Sequence, residues 1–568
     1  MKTYPLLQSQ MGVYLEWSKD PSKTICNIPV VATFGKEIEP DRLEKALQEI
    51  FNVRNELHTQ IIIDKNGEPR QWCNKEMTIP IERKRMSEEH VRSYIIKGFI
   101  RPFDLLGNEP LVHTEIIETD EHIYWLWDPH HIIIDGTTHE PHFFQIDIAA
   151  AYNGENLAPY ESGLYNFAEK EQEDFKTDAY IRAKEYYEEK FRDCVNISLS
   201  TRAQDLWGNC IRCSSFINQE LIDNKCRELG ISVNLLFMGA FSIVLSRLSR
   251  EKKVTFYTIN HGRTDKRIKH AYGMFVKSVP MLAEVDSGEN ALDFIKGLRA
   301  ELTSSIRYGV YPFTHFCKDI RLVPKISFGF QGESMQEVTV LGGKTYPIVQ
   351  PSNGSTDKDI TCVIYIINGD YDIRIEASDA LYEKYYLQQF ANSVRNVVMQ
   401  ILSNPNSLIN ELSLISKEEQ SNIISSSKGR VINYDNSETF VSRFLTKASV
   451  CGEEIAVVCG KDNYTYNDLN NVSDCIARKL IKEGIHPGDN VVISLDRCKE
   501  FIASVIGVMK AGAAYVPIDV DYPEERKQFM LTDSCTKVVI TKEWLNTLKE
   551  PDKLCNNELD HPLAELKS

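Results

Sequence analysis

Five consecutive apolar or aromatic residues, Ile123 to Trp127, constrain this chain more than any other stretch. So dense a run fits a buried strand. Pro129 is expected to stop it, since proline cannot serve a central ladder. His130 and His131 follow at once, then Asp135 and Gly136. Thr137 and Thr138 can cap a helix that runs on to Tyr152. The pattern predicts two imidazoles at a strand end, facing a helix N-terminus, with a carboxylate folded back nearby.

Such a place suits proton chemistry. A free imidazole titrates near about 6.5, so it can accept or donate at neutral pH. An inward Asp135 needs a cation, because a lone buried carboxylate is costly. Arg54 and Arg263 are the candidates for that ion pair, which makes Asp135 an organiser of the loop and not the base. Gly136 allows close backbone approach or a positive φ. The helix N-terminus offers N–H groups to a developing oxyanion. A metal alternative arises because His130, His131, Asp135 and His139 lie close together in sequence. However, His139 is followed by Glu140, Pro141 and His142, which is not the spacing that puts two ligands on one helix face. No metal is expected.

The arrangement His130-His131-x-x-x-Asp135-Gly136 resembles the core motif of condensation domains of nonribosomal peptide synthetases, relatives of the chloramphenicol acetyltransferase fold. Further segments resemble the family's other motifs, in order. Ser9-Gln10-Met11-Gly12-Val13-Tyr14 matches the first, with Gly12 in place of the usual arginine. Arg54 to Thr59 loosely matches the second, with His58 where its second arginine stands. Pro102-Phe103-Asp104-Leu105 and Pro110-Leu111 match the segment before the core motif. Leu164 to Ala168 matches the fourth motif weakly. Tyr272 to Pro280 matches the fifth, with Lys277 replacing asparagine beside Ser278. Tyr308 to Phe313 matches the sixth. Tyr14, His58, Lys277 and Ser278 are thereby implied to line the active-site tunnel.

Periodicity predicts helices over Leu6–Trp17, Pro40–Val53, Glu88–Phe99, Thr177–Arg192, Leu221–Leu229, Val233–Leu248 and Tyr382–Leu402. Strands are expected over Asn27–Phe34, Gln60–Ile63, Val112–Ile117 and Val254–Ile259. A hairpin of Ile360–Ile366 and Tyr371–Ala377 would turn through Asn368-Gly369-Asp370. Leu341-Gly342-Gly343-Lys344-Thr345 is not a carrier site, because threonine stands where serine must hold the arm. The chain is thus expected to carry no covalent cofactor of its own.

From about Tyr434 the character changes. Tyr464 to Leu469 resembles the first motif of adenylation domains, and Met509 to Asp519 closely resembles their second. The Ser/Thr/Gly-rich phosphate loop does not follow, so neither ATP hydrolysis nor amino-acid activation is expected. The expected organisation is an α/β chain. Residues 1–170 and 171–416 would form two chloramphenicol-acetyltransferase-like lobes in a V, 417–433 a linker, and 434–568 a partial adenylation domain truncated before that loop.

A net charge of −16 argues against a nucleic-acid partner. No apolar run reaches membrane-spanning length, and no signal peptide precedes Pro5. Fourteen cysteines without disulfide rhythm fit a reducing cytoplasm; Cys210 and Cys213 form a lone, incidental C-x-x-C.

The resemblance implies amide formation between thioesters carried on 4'-phosphopantetheine arms of upstream and downstream peptidyl carrier domains, acting in trans, with the rest of a split synthetase as a further partner. His131 would take or position the amine proton. His130 and Asp135 would shape the loop, and Gly136 the space around the carbonyl. The alternatives are a carrier-independent acyltransferase, a non-catalytic carrier-docking platform or gene remnant, a metal-dependent hydrolase, and an epimerisation domain.

Overall fold

The computed structural model describes residues 2–136, 144–157, 163–200, 208–263, 265–332, 338–354, 356, 359–430, 432–433 and 438–548. Thr137, Thr138, His139 and His142, named above, lie outside the described residues, as do Tyr434 and the end of the tail. The chain divides into two units, Met1–Ile424 and Ser425–Ser568.

The first unit is built on two six-stranded mixed sheets, neither closed into a barrel. In one, Ile123–Pro129 pairs antiparallel with Val30–Phe34 on one side and Val112–Glu118 on the other. The strand is central, and its residues are buried on both faces except half-buried Tyr124, as the apolar run predicts. Pro129 does not stop short of the ladder: it closes it opposite Val112, and its carbonyl accepts from Ile28 N. Helices Pro40–Val53 and Phe144–Asn153 cover this sheet through Leu43, Leu47, Ile50, Phe144 and Ile148.

The second sheet runs Lys277–Glu284, Lys253–Asn260, Ser327–Gly332, Thr361–Ile367, Asp370–Ser378 and Cys210–Asn218. Ser327–Gly332 is parallel to both its neighbours. The predicted hairpin is present, with Asn368 at φ 52 and Gly369 at φ 81. Two successive left-handed residues match the turn to the twist of the strands. The apolar helix Val233–Ser249 and the helix Lys384–Ser403 supply most of the covering core. Cys210 and Cys213 sit three residues apart on one strand and so project to opposite faces.

The sheets do not follow a division at residue 170. Val338–Leu341 and Lys344–Val349 join the first sheet, where Ile348 pairs with Ala32 and Val349 with Val31. Tyr272, Leu341 and Tyr346 are buried in the first core. A strand's pattern tells which face is buried, not which sheet it joins, so sequence order misassigned this hairpin. The Gly342-Gly343 pair forms its turn, at φ 57 and 78. The expected linker, 417–433, starts as a helix, Lys417–Ser427, with no buried residue. Ile409 and Leu412, just before it, are buried in the second core.

The second unit has a hairpin, Ile455–Cys459 with Asp462–Thr465, and a parallel sheet with Asn490–Ile493 between Ala514–Pro517 and Val538–Ile540. Thr465 caps the helix Tyr466–Lys482 in a reciprocal box with Asp468. Gly512, at φ 75, makes the turn from helix Lys499–Lys510 into a strand. Among the described residues no single helix is long and apolar enough to cross a membrane.

Candidate active site

The central strand delivers His130 and His131 into a tight turn that backbone bonds hold. His130 N donates to Leu111 O at 2.9 Å, and His131 N to Cys26 O at 2.8 Å. Ile133 N closes the turn onto His130 O. Ile132, Ile133 and Ile134 are fully buried and anchor it. The two rings then differ sharply. His130 is buried, stands edge-on to Phe103, and accepts from Ile132 N at Nδ1. Burial, with a smaller effect of His131, pushes its pKa down from 6.5 to about 3. His131 is half-buried, and its Nδ1 lies 2.9 Å from Ile134 O. A carbonyl only accepts, so Nδ1 carries the hydrogen and Nε2 is the basic nitrogen of the neutral ring.

Asp135 is wholly buried. Oδ1 accepts from Arg263 Nη2 at 2.8 Å, and Oδ2 from Phe275 N at 2.9 Å. Arg263, itself buried, also lies over the Phe275 ring. Of the two candidate cations, Arg263 is therefore the partner and Arg54 is not. Arg54 makes a bidentate pair with Asp147, at 2.7 Å for each bond, and Tyr272 donates to the same carboxylate. Helix Pro40–Val53 ends at Arg54, which faces its neighbour Phe144–Asn153 and not the loop. Gly136 does not have a positive φ, and among the described residues a Cβ added there meets no atom within 4 Å.

Three residues behind the loop, Asp128, Asn27 and His113, escaped sequence reasoning, and Gln10 entered it only as a member of the first motif. Gln10 donates to Ile132 O at 3.0 Å and to Gln71, so the first helix braces the turn. Asp128 is buried within the strand, and burial pushes its carboxyl pKa up. Asn27 donates to Asp128 at 2.7 Å and pairs with His130 as an isolated bridge. His113 stacks on Phe103, with ring centroids 4.0 Å apart, and its Nδ1 lies 3.9 Å from Asp128. The aspartate was hidden by the apolar residues around it; a charged residue inside such a run was the available signal.

His131 opens on a cavity of about 420 Å³. The first helix lines one part of it, and strands of the second sheet, through Tyr257, Ser278 and Val363, line another. Lys277 and Ser278 are in the lining, and Lys277 Nζ stands 3.4 Å from Glu171. Tyr14 and His58 are not in it. Tyr14 packs beside Trp17 and the first core. His58 is buried, with Nε2 donating to Phe51 O at 2.7 Å. Helix periodicity turns Gly12 and Val13, not Tyr14, toward the cavity. Pro312 and Phe313 of the sixth motif also line it. A smaller cavity of about 170 Å³ shares Ile25 and Thr361 with this one.

Residues 1–424 match the family model described as Condensation domain, and residues 444–567 match AMP-binding enzyme. Gramicidin S synthase 2 of Aneurinibacillus migulanus is 25% identical over 561 residues, covering 95% of this chain and 12% of its own length. Bacitracin synthase 2 of Bacillus licheniformis is 25% identical over 564 residues, covering 95% of this chain and 21% of its own length. The chain thus spans less than a quarter of either relative. A four-domain nonribosomal peptide synthetase solved with AMP and glycine superposes at a TM-score of 0.75, with 17% identity, over 95% of this chain and 43% of that one. The first condensation domain of the calcium-dependent antibiotic synthetase, with a substrate analogue, gives 0.64 at 15% identity, over 73% of this chain and 99% of that one. These two likenesses concern the fold.

Proposed function

The chain belongs to the condensation-domain family, and on that premise we propose that it makes peptide bonds in nonribosomal peptide synthesis, joining acyl groups held as thioesters on phosphopantetheine arms. The amine of one arm attacks the thioester carbonyl of the other. A C–N bond forms and the C–S bond breaks. The amine loses a proton, and the departing sulfur takes one up to leave as a thiol.

One observation carries this reading: the hydrogen bond from His131 Nδ1 to Ile134 O, on a ring that opens into the cavity. It fixes the tautomer whose Nε2 can receive or position the amine proton. Such assistance is typically worth about 10²–10⁴-fold. Holding both thioesters in one enclosed space contributes independently through effective molarity. His130, depressed to about 3, stays neutral and supports the turn. Asp135, with both oxygens engaged, anchors the loop. Gly136 leaves room beside the reacting carbonyl.

Carrier domains supplying the arms in trans are the partners this reading requires. The decisive test is His131→Ala assayed with loaded carriers. Amide formation should fall by about 10² or more, and full activity would end the proposal.

A further inference from the structure

We infer that one of the two joined groups carries an aliphatic side chain, seated on the cavity wall that the second sheet provides. The inference rests on that cavity being the place where the two arms meet. Alternate residues of a strand share a face. One face of four adjacent strands lines the cavity, through Ser278, then Tyr257 and Ile259, then Ser327 and Gly329, then Thr361 and Val363. Pairing sets these residues in rows. Ser278 stands opposite Ile259, Gly329 opposite Val363, and Ser327 opposite both Tyr257 and Thr361. Gly329 contributes no side chain, so the wall is low between Ile259 and Val363. An added Cβ there would lie 3.6 Å from a methyl group of each.

Isoleucine and valine on a sheet face are usually covered by the core. Here Ile259 is 37% exposed, and Val323, also in the lining, is 47% exposed. Tyr257 and Val363 are half-buried. Apolar surface that is accessible within a concave site is what a ligand covers. The charged groups of the lining are engaged elsewhere. Glu16 pairs with Lys19 at 2.8 Å and Glu171 with Lys277 at 3.4 Å, while Lys325 acts on the buried carboxylate of Asp359. A charged or amide side chain on this wall would lose water without gaining a matched partner. An aliphatic one covers Ile259 and Val363 and gains by it. The substrate class is therefore an aminoacyl group with an aliphatic side chain, of the kind of valine or leucine.

Pantetheine aminoacyl amides, with nitrogen in place of the thioester sulfur, test this by binding alone. Leucyl is compared with asparaginyl, which has nearly the same shape, on the full chain by titration calorimetry. Leucyl should bind about tenfold more tightly. Ile259→Thr keeps a β-branched residue in the strand and should cut that ratio by about fourfold, the effect of one lost methylene contact. Gly329→Leu raises the low part of the wall and should weaken leucyl far more than alanyl, a size dependence that a general loss of structure does not produce. Thermal unfolding of the same samples checks that both variants fold; if Gly329→Leu does not, Ile259→Thr decides alone. Equal binding of leucyl and asparaginyl, a ratio unchanged by Ile259→Thr, or no binding of any probe overturns the assignment. Failure of the peptide-bond reading appears elsewhere, as amide formation that persists in His131→Ala while the binding preference is intact.

Discussion

Arg263 Nη2 lies 2.8 Å from Asp135 Oδ1, across 128 residues of sequence. The pair ties the histidine loop to the segment that leads into Lys277–Glu284. Both side chains are almost wholly buried, at 4% and 0% exposure. Removing one member leaves an uncompensated charge, which costs about 3–5 kcal/mol. Arg263→Ala should therefore lower the unfolding temperature and, by freeing the loop that positions His131, cut amide formation as well. Denaturant titration and a carrier assay on the same preparation would check both effects.

Arg54 provides the contrast. Its bidentate pair with Asp147 is nearly as buried, at 7% and 13% exposure. Arg54→Ala should destabilise the first unit on a similar scale, about 3–5 kcal/mol. Yet its bidentate partner is Asp147 and not Asp135. At a temperature where the variant is still folded, its kcat/KM should stay within about tenfold of the parent, against a much larger loss for Arg263→Ala.

His130 predicts a pH dependence. In the unfolded chain the imidazole takes up a proton near 6.5; in the folded chain it does not until about 3. Protons therefore favour unfolding within that window. The stabilising contribution is complete above pH 6.5 and is lost as pH falls toward 3, at a limiting slope of about 1.4 kcal/mol per unit. His130→Asn keeps an acceptor for Ile132 N, so its unfolding temperature should fall less steeply between pH 6.5 and 4.5 than that of the parent.

Asp128 has the opposite sign. Burial raises its pKa, so the folded state holds the proton to higher pH than the unfolded state does. Stability is lost as pH rises above the ordinary 3.8 and through the raised value. Asp128→Asn removes that loss and can still accept from Asn27. Its unfolding temperature should exceed the parent's at pH 8, with the gap closing toward pH 4. A uniform loss at both pH values would contradict this.

Local patterns were readable where one segment dictates its own conformation. The helix Pro40–Val53, the Asn368-Gly369 turn and the Ile123 strand stand where periodicity and turn chemistry put them. His131 at the strand end was legible for the same reason. The choice between Arg54 and Arg263 was not. Two arginines and several carboxylates offer the same charges, and only the packed chain decides which meet. Tyr14 shows the same limit on a smaller scale. Its helix was evident, but the face turned to the cavity depends on what packs against the rest, and that face carries Gly12, Val13 and Glu16.

The hairpin of Val338–Leu341 and Lys344–Val349 has a consequence for how this molecule is made. As the chain leaves the ribosome, Ala32 must wait for Ile348, its partner in the first sheet. Until then Val30–Phe34 presents a bare edge with unmet N–H and C=O groups, the sort of surface that recruits other chains. So distant a pairing is also slow to find. A fragment ending near residue 170 would keep that edge permanently, and should aggregate when expressed, however well its own helices form.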